Sequence, residues 1–128
     1  MRLLLDTHAF LWWLDGDPHL SAAARAAITD PDNEVFVSAA SAWEITTKHR
    51  LGKLPGATAV AAAVAACVAG QGFHPLPIGL AHGEKAGALP GPHRDPFDRM
   101  LIAQAMIEDL ILASNEAASA PMARGLLW

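Results

Sequence analysis

A chain of 128 residues with Lys+Arg 9 against Asp+Glu 13, 52% hydrophobic residues and a single cysteine is sized for one domain, over residues 1–128, and excludes a disulfide-stapled scaffold. Only 17% of the residues are charged, the reverse of a disordered composition. The formal charge of -4 excludes a protein that holds nucleic acid by bulk positive charge, so any such contact must be local.

Leu3-Leu4-Leu5 is a short apolar run ended by Asp6, too brief for a signal-peptide core and read as a buried strand. Ala9, Phe10, Trp12 and Trp13 follow with helical spacing until Asp15-Gly16-Asp17-Pro18 breaks the pattern. A second helix is predicted from Leu20 to Thr29, with Ser21 near its start, and Val35-Phe36-Val37 is a second strand. Ala39 to about Leu51 reads as a helix stopped by Gly52 and Pro55-Gly56. Thr58 to Ala69 reads as one Ala/Val helix whose Val60, Val64, Cys67 and Val68 share a stripe, with Cys67 expected as a buried small hydrophobe. Its apolar run is well below the roughly 18 residues of a membrane span, so a soluble, cytoplasmic protein without membrane contact is expected.

Pro75 and Pro77 restrict Phe73 to Ile78 to an extended edge segment. Leu80 to Leu89 reads as a short helix, and Asp95-Pro96 launches a longer one to about Asp109, with Asp as cap and Pro at the first helical position. Ile111 to Ala113 is a third strand and Leu126 to Trp128 a last one. Short apolar strands alternating with helices predict an α/β sandwich around a mostly parallel sheet.

In such sheets ligands bind beyond the carboxyl ends of the strands. Asp6, Glu44, Asp95, Asp98 and Glu116 all fall near that edge. Each has a plain structural reading: Asp6 as a helix cap, Ser41-Ala42-Trp43-Glu44 as a capping box, Asp95 as an N-cap, Asp98 as a first-turn acid, Glu116 as a loop acid. Independent caps have no reason to converge on one edge, whereas carboxylates brought together repel unless a cation compensates them. Oxygen ligands without His/Cys clustering suit Mg²⁺ or Mn²⁺. Lys48, Arg50 and Lys53 form a local basic segment able to track phosphates, or simply a solvated helix end. Arg94 and Arg99 flank the acidic helix start, where pairing with carboxylates competes with gripping a phosphate backbone. His8 and His93 are read as polar positions near the pocket, and Trp12, Trp13 and Trp43 as core or interface packing.

Three segments carry a family resemblance: L-L-L-D-T-H at Leu3 to His8, S-A-A-S-A-W-E-I at Ser38 to Ile45, and H-R-D-P-F-D-R-M-L-I-A-Q-A at His93 to Ala105. Together they resemble the PIN-domain toxins of the VapC group, from Arg2 through the terminal L-L-W. The resemblance implies a PIN-like three-layer α/β/α sandwich and an endoribonuclease dependent on Mg²⁺ or Mn²⁺ that leaves a 5′-phosphate and a 3′-hydroxyl. It also implies the toxin half of a toxin–antitoxin pair, inhibited by a VapB-like antitoxin, and a homodimer; exposed parts of Trp12 or Trp13 are the alternative to core packing that would give the antitoxin a groove. Carried over by motif, the family's acidic tetrad falls on Asp6, Glu44, Asp98 and Glu116. Members commonly have Asp where Ser114-Asn115-Glu116 stands, so Glu116 is the departure from the pattern. Asp6 and Asp98 are then the expected direct metal ligands, with Glu44 coordinating through water or orienting the nucleophile. Two alternatives stay open: a catalytically weak PIN-like binding module, and an acid-cluster Mg²⁺-dependent phosphohydrolase, although no D-x-D motif follows the first strand.

Overall fold

The computed structural model describes residues 1–91, 95–115 and 126–128. In chain order these form β1 (Arg2–Leu5), α1 (Thr7–Asp15), α2 (Ala22–Thr29), β2 (Glu34–Ser38), α3 (Ala39–Arg50), a 3₁₀ turn (Pro55–Ala57), α4 (Thr58–Ala62), α5 (Val64–Gly70), β3 (His74–Leu76), α6 (Leu80–Ala88), α7 (Pro96–Glu108), β4 (Ile111–Ala113) and β5 (Leu126–Leu127). The strands make one sheet in the order β3-β2-β1-β4-β5. Every pairing is parallel, with Leu3 opposite both Val35 and Ile111.

A parallel sheet needs both faces covered, and the period-two alternation of the strands divides the core accordingly. Leu3, Leu5, Val35 and Val37 pack with Phe10, Ile28, Val64, Val68 and Phe73 on one face. Leu4 and Leu112 pack with Ala86, Leu101, Ile102 and Ala105 on the other. Strand order reverses between β1 and β4, so the switch point of the sheet lies beyond Leu5 and Ala113. The backbone N–H of Asp6 donates to the Ala113 carbonyl at 3.0 Å and ties the two strand exits together.

Polar groups fix how the helices leave the sheet. The Ser38 hydroxyl caps α3 by accepting from the Ala40 N–H at 2.9 Å and donates to the buried Gln104 Oε1 at 2.5 Å. Gln104 in turn donates to the Pro77 carbonyl. On α6, His82 Nδ1 accepts from the Gly79 N–H at 2.9 Å, which leaves Nε2 to donate to Glu108 at 3.1 Å. The end of α6 lacks a glycine cap, and Arg99 from α7 donates to the carbonyls of Ala86, Gly87 and Leu89 instead, satisfying groups that a helix end leaves open. Arg99 is thus occupied in joining two helices.

Several sequence expectations change here. The predicted helix over Thr58 to Ala69 is broken at Ala63 (φ -156°, ψ 51°) into α4 and α5. Alanine favours helix at every position of that run, but α4 packs on α3 while α5 packs on β3. One straight helix cannot serve both surfaces. Cys67 is half-buried against the core rather than enclosed. Trp43 is 59% exposed and meets Phe97 edge-to-face at 4.8 Å, so it is not a core residue. Trp12 and Trp13 are half-buried, and Trp13 Nε1 donates to Gln71 Oε1 at 2.9 Å. His93, Arg94 and Glu116 lie outside the described residues.

The Ser38 linkage predicts that Ser38→Ala, which removes a cap and leaves Gln104 Oε1 without its donor, lowers stability by about 1–3 kcal/mol. Urea denaturation measures it; an unchanged midpoint contradicts the role.

Candidate functional site

Asp6 follows β1 directly and is only 7% exposed. Its carboxylate caps α1, with Oδ1 accepting from the Ala9 N–H at 2.7 Å, and a second hydrogen bond comes from the Ser114 side chain beyond β4. The capping reading of Asp6 therefore holds, and the cap is what fixes the carboxylate at the switch point. Burial pushes the Asp6 carboxyl above its ordinary value. The bonds from Ala9 and Ser114 and the nearby His8 oppose that push, and the charge of Glu44 adds to it.

Glu44 is 3% exposed and stands in the second turn of α3, because Ser38 rather than Ser41 is the cap. This overturns the capping-box reading of Ser41-Ala42-Trp43-Glu44. Its Oε1 accepts from the Thr7 hydroxyl at 2.5 Å, Thr7 Oγ1 lies 3.0 Å from Ser41 Oγ, and Oε2 accepts from the Lys48 ammonium one turn along the helix. Thr7 and Ser114 carry no role in the sequence motifs, since a hydroxyl gives no spacing signal of its own, and Ser41, read there as a cap, instead lies beside the Thr7 hydroxyl. The i,i+4 placement of Glu44 and Lys48 was a readable signal for their pairing.

Asp95 caps α7 through its Oδ1, which accepts from the N–H groups of Phe97 and Asp98 at 2.9 and 3.0 Å. Asp98, half-buried in the first turn of α7, and Asp95 both act electrostatically on Lys48. Burial alone would lower the Lys48 ammonium's pKa. Its hydrogen bond with Glu44 and the charges of Glu44, Asp95 and Asp98 outweigh burial and hold it above the ordinary lysine value.

Acidic groups from α3 and α7 thus act on one half-buried cation, and one of them, Glu44, also acts on Asp6 after β1. The basic segment is divided as a result. Lys48 turns inward to Glu44, Arg50 is exposed, and Lys53 borders a groove with His8 and Trp12, whose rings stack at 5.6 Å. An apolar cavity of about 480 Å³ between β2, β3 and α5 has no acidic side chain in its lining, so the chemistry-bearing groups lie elsewhere.

The carboxylates of Asp6, Glu44, Asp95 and Asp98 have the oxygen chemistry that suits a hard divalent cation. Among the described residues, no three His, Cys, Asp or Glu side chains lie close enough together to hold a metal ion by themselves. The fit lies in the donor set: oxygen-only, mutually repelling through Asp6 and Glu44, and already compensated by a positive charge.

The raised Asp6 value has a stability consequence whose sign is fixed by linkage. A carboxyl that binds its proton more tightly in the folded state loses stability as pH rises from the ordinary carboxylate value through the folded value. In chelator-containing buffer, Asp6→Asn, which keeps a capping oxygen, should therefore unfold at a temperature equal to or above wild type at neutral pH. That advantage should shrink as the pH falls and wild-type Asp6 takes up its proton. Thermal melts across pH check this, and a lower melting temperature at neutral pH contradicts it.

Comparison with known proteins agrees with this architecture. The chain is 42% identical over 69 residues to Ribonuclease VapC16 of Mycobacterium tuberculosis (strain ATCC 25618 / H37Rv), an alignment covering 51% of this chain and 49% of that protein. The matched stretch therefore spans about half the length of this relative. The fold is similar to a chain in the crystal structure of VapBC2 from Rickettsia felis bound to a DNA fragment from their promoter, with a TM-score of 0.71, 12% identity and 100% of both chains covered. It is also similar to a chain in VapBC-1 from nontypeable Haemophilus influenzae, with a TM-score of 0.57, 14% identity, and 93% of this chain and 90% of that chain covered. At these identities the structural likeness concerns the fold alone. The PIN-domain family model matches residues 3–120, nearly the whole chain and both strand exits at the switch point, and the chain belongs to the PIN-domain family.

Proposed function

We propose that the chain, as one PIN domain over residues 1–128, is an endoribonuclease dependent on a divalent metal, Mg²⁺ or Mn²⁺, and the toxin of a VapBC-type pair working in the cytoplasm. The observation that carries this reading is the placing of buried Asp6 at the topological switch of the sheet, within electrostatic reach of buried Glu44, whose partner Lys48 also feels Asp95 and Asp98 from α7. Support comes from the resemblance to a protein named a ribonuclease and from the likeness to VapBC structures. Among the described residues no helix is long and apolar enough to cross a membrane.

Asp6 and Asp98 would hold the metal, with Glu44 reaching it directly or through water and position 116 completing the set. When bound, such an ion neutralises phosphodiester charge and makes water nucleophilic at neutral pH. The residues of the chain supply the rest. Glu44, held by the Thr7 hydroxyl, orients the attacking water. The α1 cap keeps Asp6 from rotating away from the strand exit. Arg50 at the end of α3 and Lys53 just beyond it, both exposed, offer phosphate contacts that the acidic total charge does not. The partner is an antitoxin of the VapB kind, and the toxin itself is a homodimer.

The absence of a three-ligand group among the described residues favours one second reading, a PIN-like binding module with weak turnover. One experiment separates them. Purified chain, freed of antitoxin, is incubated with a mixed RNA pool with and without Mg²⁺ or Mn²⁺, and the product ends are sequenced. The ribonuclease reading predicts metal-dependent cuts with 5′-phosphate and 3′-hydroxyl ends. It also predicts that Asp6→Asn and Asp98→Asn each lower the rate by at least about a hundredfold, beyond what loss of an outer partner to a metal site costs. Cleavage retained in either variant, or equal with chelator present, contradicts it.

A further inference from the structure

Lys48 does not stand where a lysine that grips phosphate would stand. A lysine meant for phosphate would face solvent, yet this ammonium bonds to a carboxylate that is 4% exposed at its side chain, while its own side chain is 30% exposed. The charges acting on it come from two helices: Glu44 on its own α3, and Asp95 and Asp98 on α7. Leaving Glu44 buried without a counter-charge would be costly.

We propose that Lys48 is the resident counter-ion of the acidic site, holding Glu44 and neutralising the carboxylate set when no divalent cation is present, and competing with that cation for the same oxygens. The inference rests on the metal-site reading above and deepens it by setting how tightly the metal binds. The physical expectation is simple. A single and a double positive charge repel enough to weaken binding about tenfold at a separation of roughly 6 Å even in the dielectric constant of water, so a retained ammonium near the site lowers its affinity for the ion. The arrangement keeps the apo protein folded and makes metal occupancy conditional on the ion's concentration. Lys48 is in these terms a positioning residue, acting through Glu44.

The test is a Mn²⁺ titration of the chelator-treated, desalted full chain by isothermal calorimetry, comparing wild type with Lys48→Met and Lys48→Arg. Loss of the charge in Lys48→Met should tighten Mn²⁺ binding about tenfold, while Lys48→Arg, which keeps it, stays within about twofold of wild type. In chelator, Lys48→Met should also melt below wild type and recover more than wild type when Mn²⁺ is added, because the ion takes over the neutralisation of Glu44. Lys48→Gln, which keeps a donor for Glu44 without the charge, gives the same readout if the Met variant does not fold. If wild type binds Mn²⁺ and the uncharged variants bind it equally or more weakly, the counter-ion role is overturned and the metal site stands. If neither wild type nor the uncharged variants bind Mn²⁺, both are overturned.

Discussion

The arrangement of this protein depends on carboxylates held near one another where water is scarce. Asp6 and Glu44 are both almost fully buried, they raise each other's electrostatic cost, and no amount of apolar packing relieves that repulsion. What relieves it in this structure is one ammonium ion, Lys48, with hydroxyls and backbone N–H groups supplying the remaining hydrogen bonds. The local architecture serves that balance. The switch between β1 and β4 brings Asp6 and Ser114 together, the Ser38 cap sets the phase of α3 so that Glu44 faces inward, and the Asp95 cap starts α7 where Asp98 joins the site.

Helix caps and site chemistry are one construction in this molecule. Asp6 caps α1 and is the proposed metal ligand at the strand exit. Asp95 caps α7 and contributes charge to Lys48. A cap fixes one carboxylate oxygen to a backbone donor, which removes rotational freedom that a binding group would otherwise lose on engaging its ligand. For Asp6 the structural reading drawn from the sequence holds, and a cap of this kind does not compete with the proposed functional one.

The sequence made the α/β class, the order of most elements and the caps at Asp6 and Asp95 legible, because short Leu- and Val-rich runs and the Asp-Pro helix start have strong local signals. It misplaced what depends on tertiary packing. The break at Ala63 follows from two surfaces that a local alanine-rich pattern does not encode. Ser41 resembles a cap in the letters S-A-W-E, yet Ser38, bonded to Gln104 across 66 positions of chain, took that role. Trp43 has the composition of a core residue and stands in solvent. Lys48 looked like part of a basic surface because its neighbours in sequence are basic, whereas its neighbours in space are acids.

The central claim is that oxygens from Asp6, Glu44 and Asp98 jointly hold a hard divalent ion. Crystals grown without metal and soaked in Mn²⁺ test it most directly through anomalous diffraction. The account predicts one peak between Asp6 and Asp98, with the Lys48 ammonium displaced from Glu44. A map with no peak there, or with the ion elsewhere and the Lys48–Glu44 pair intact, contradicts it.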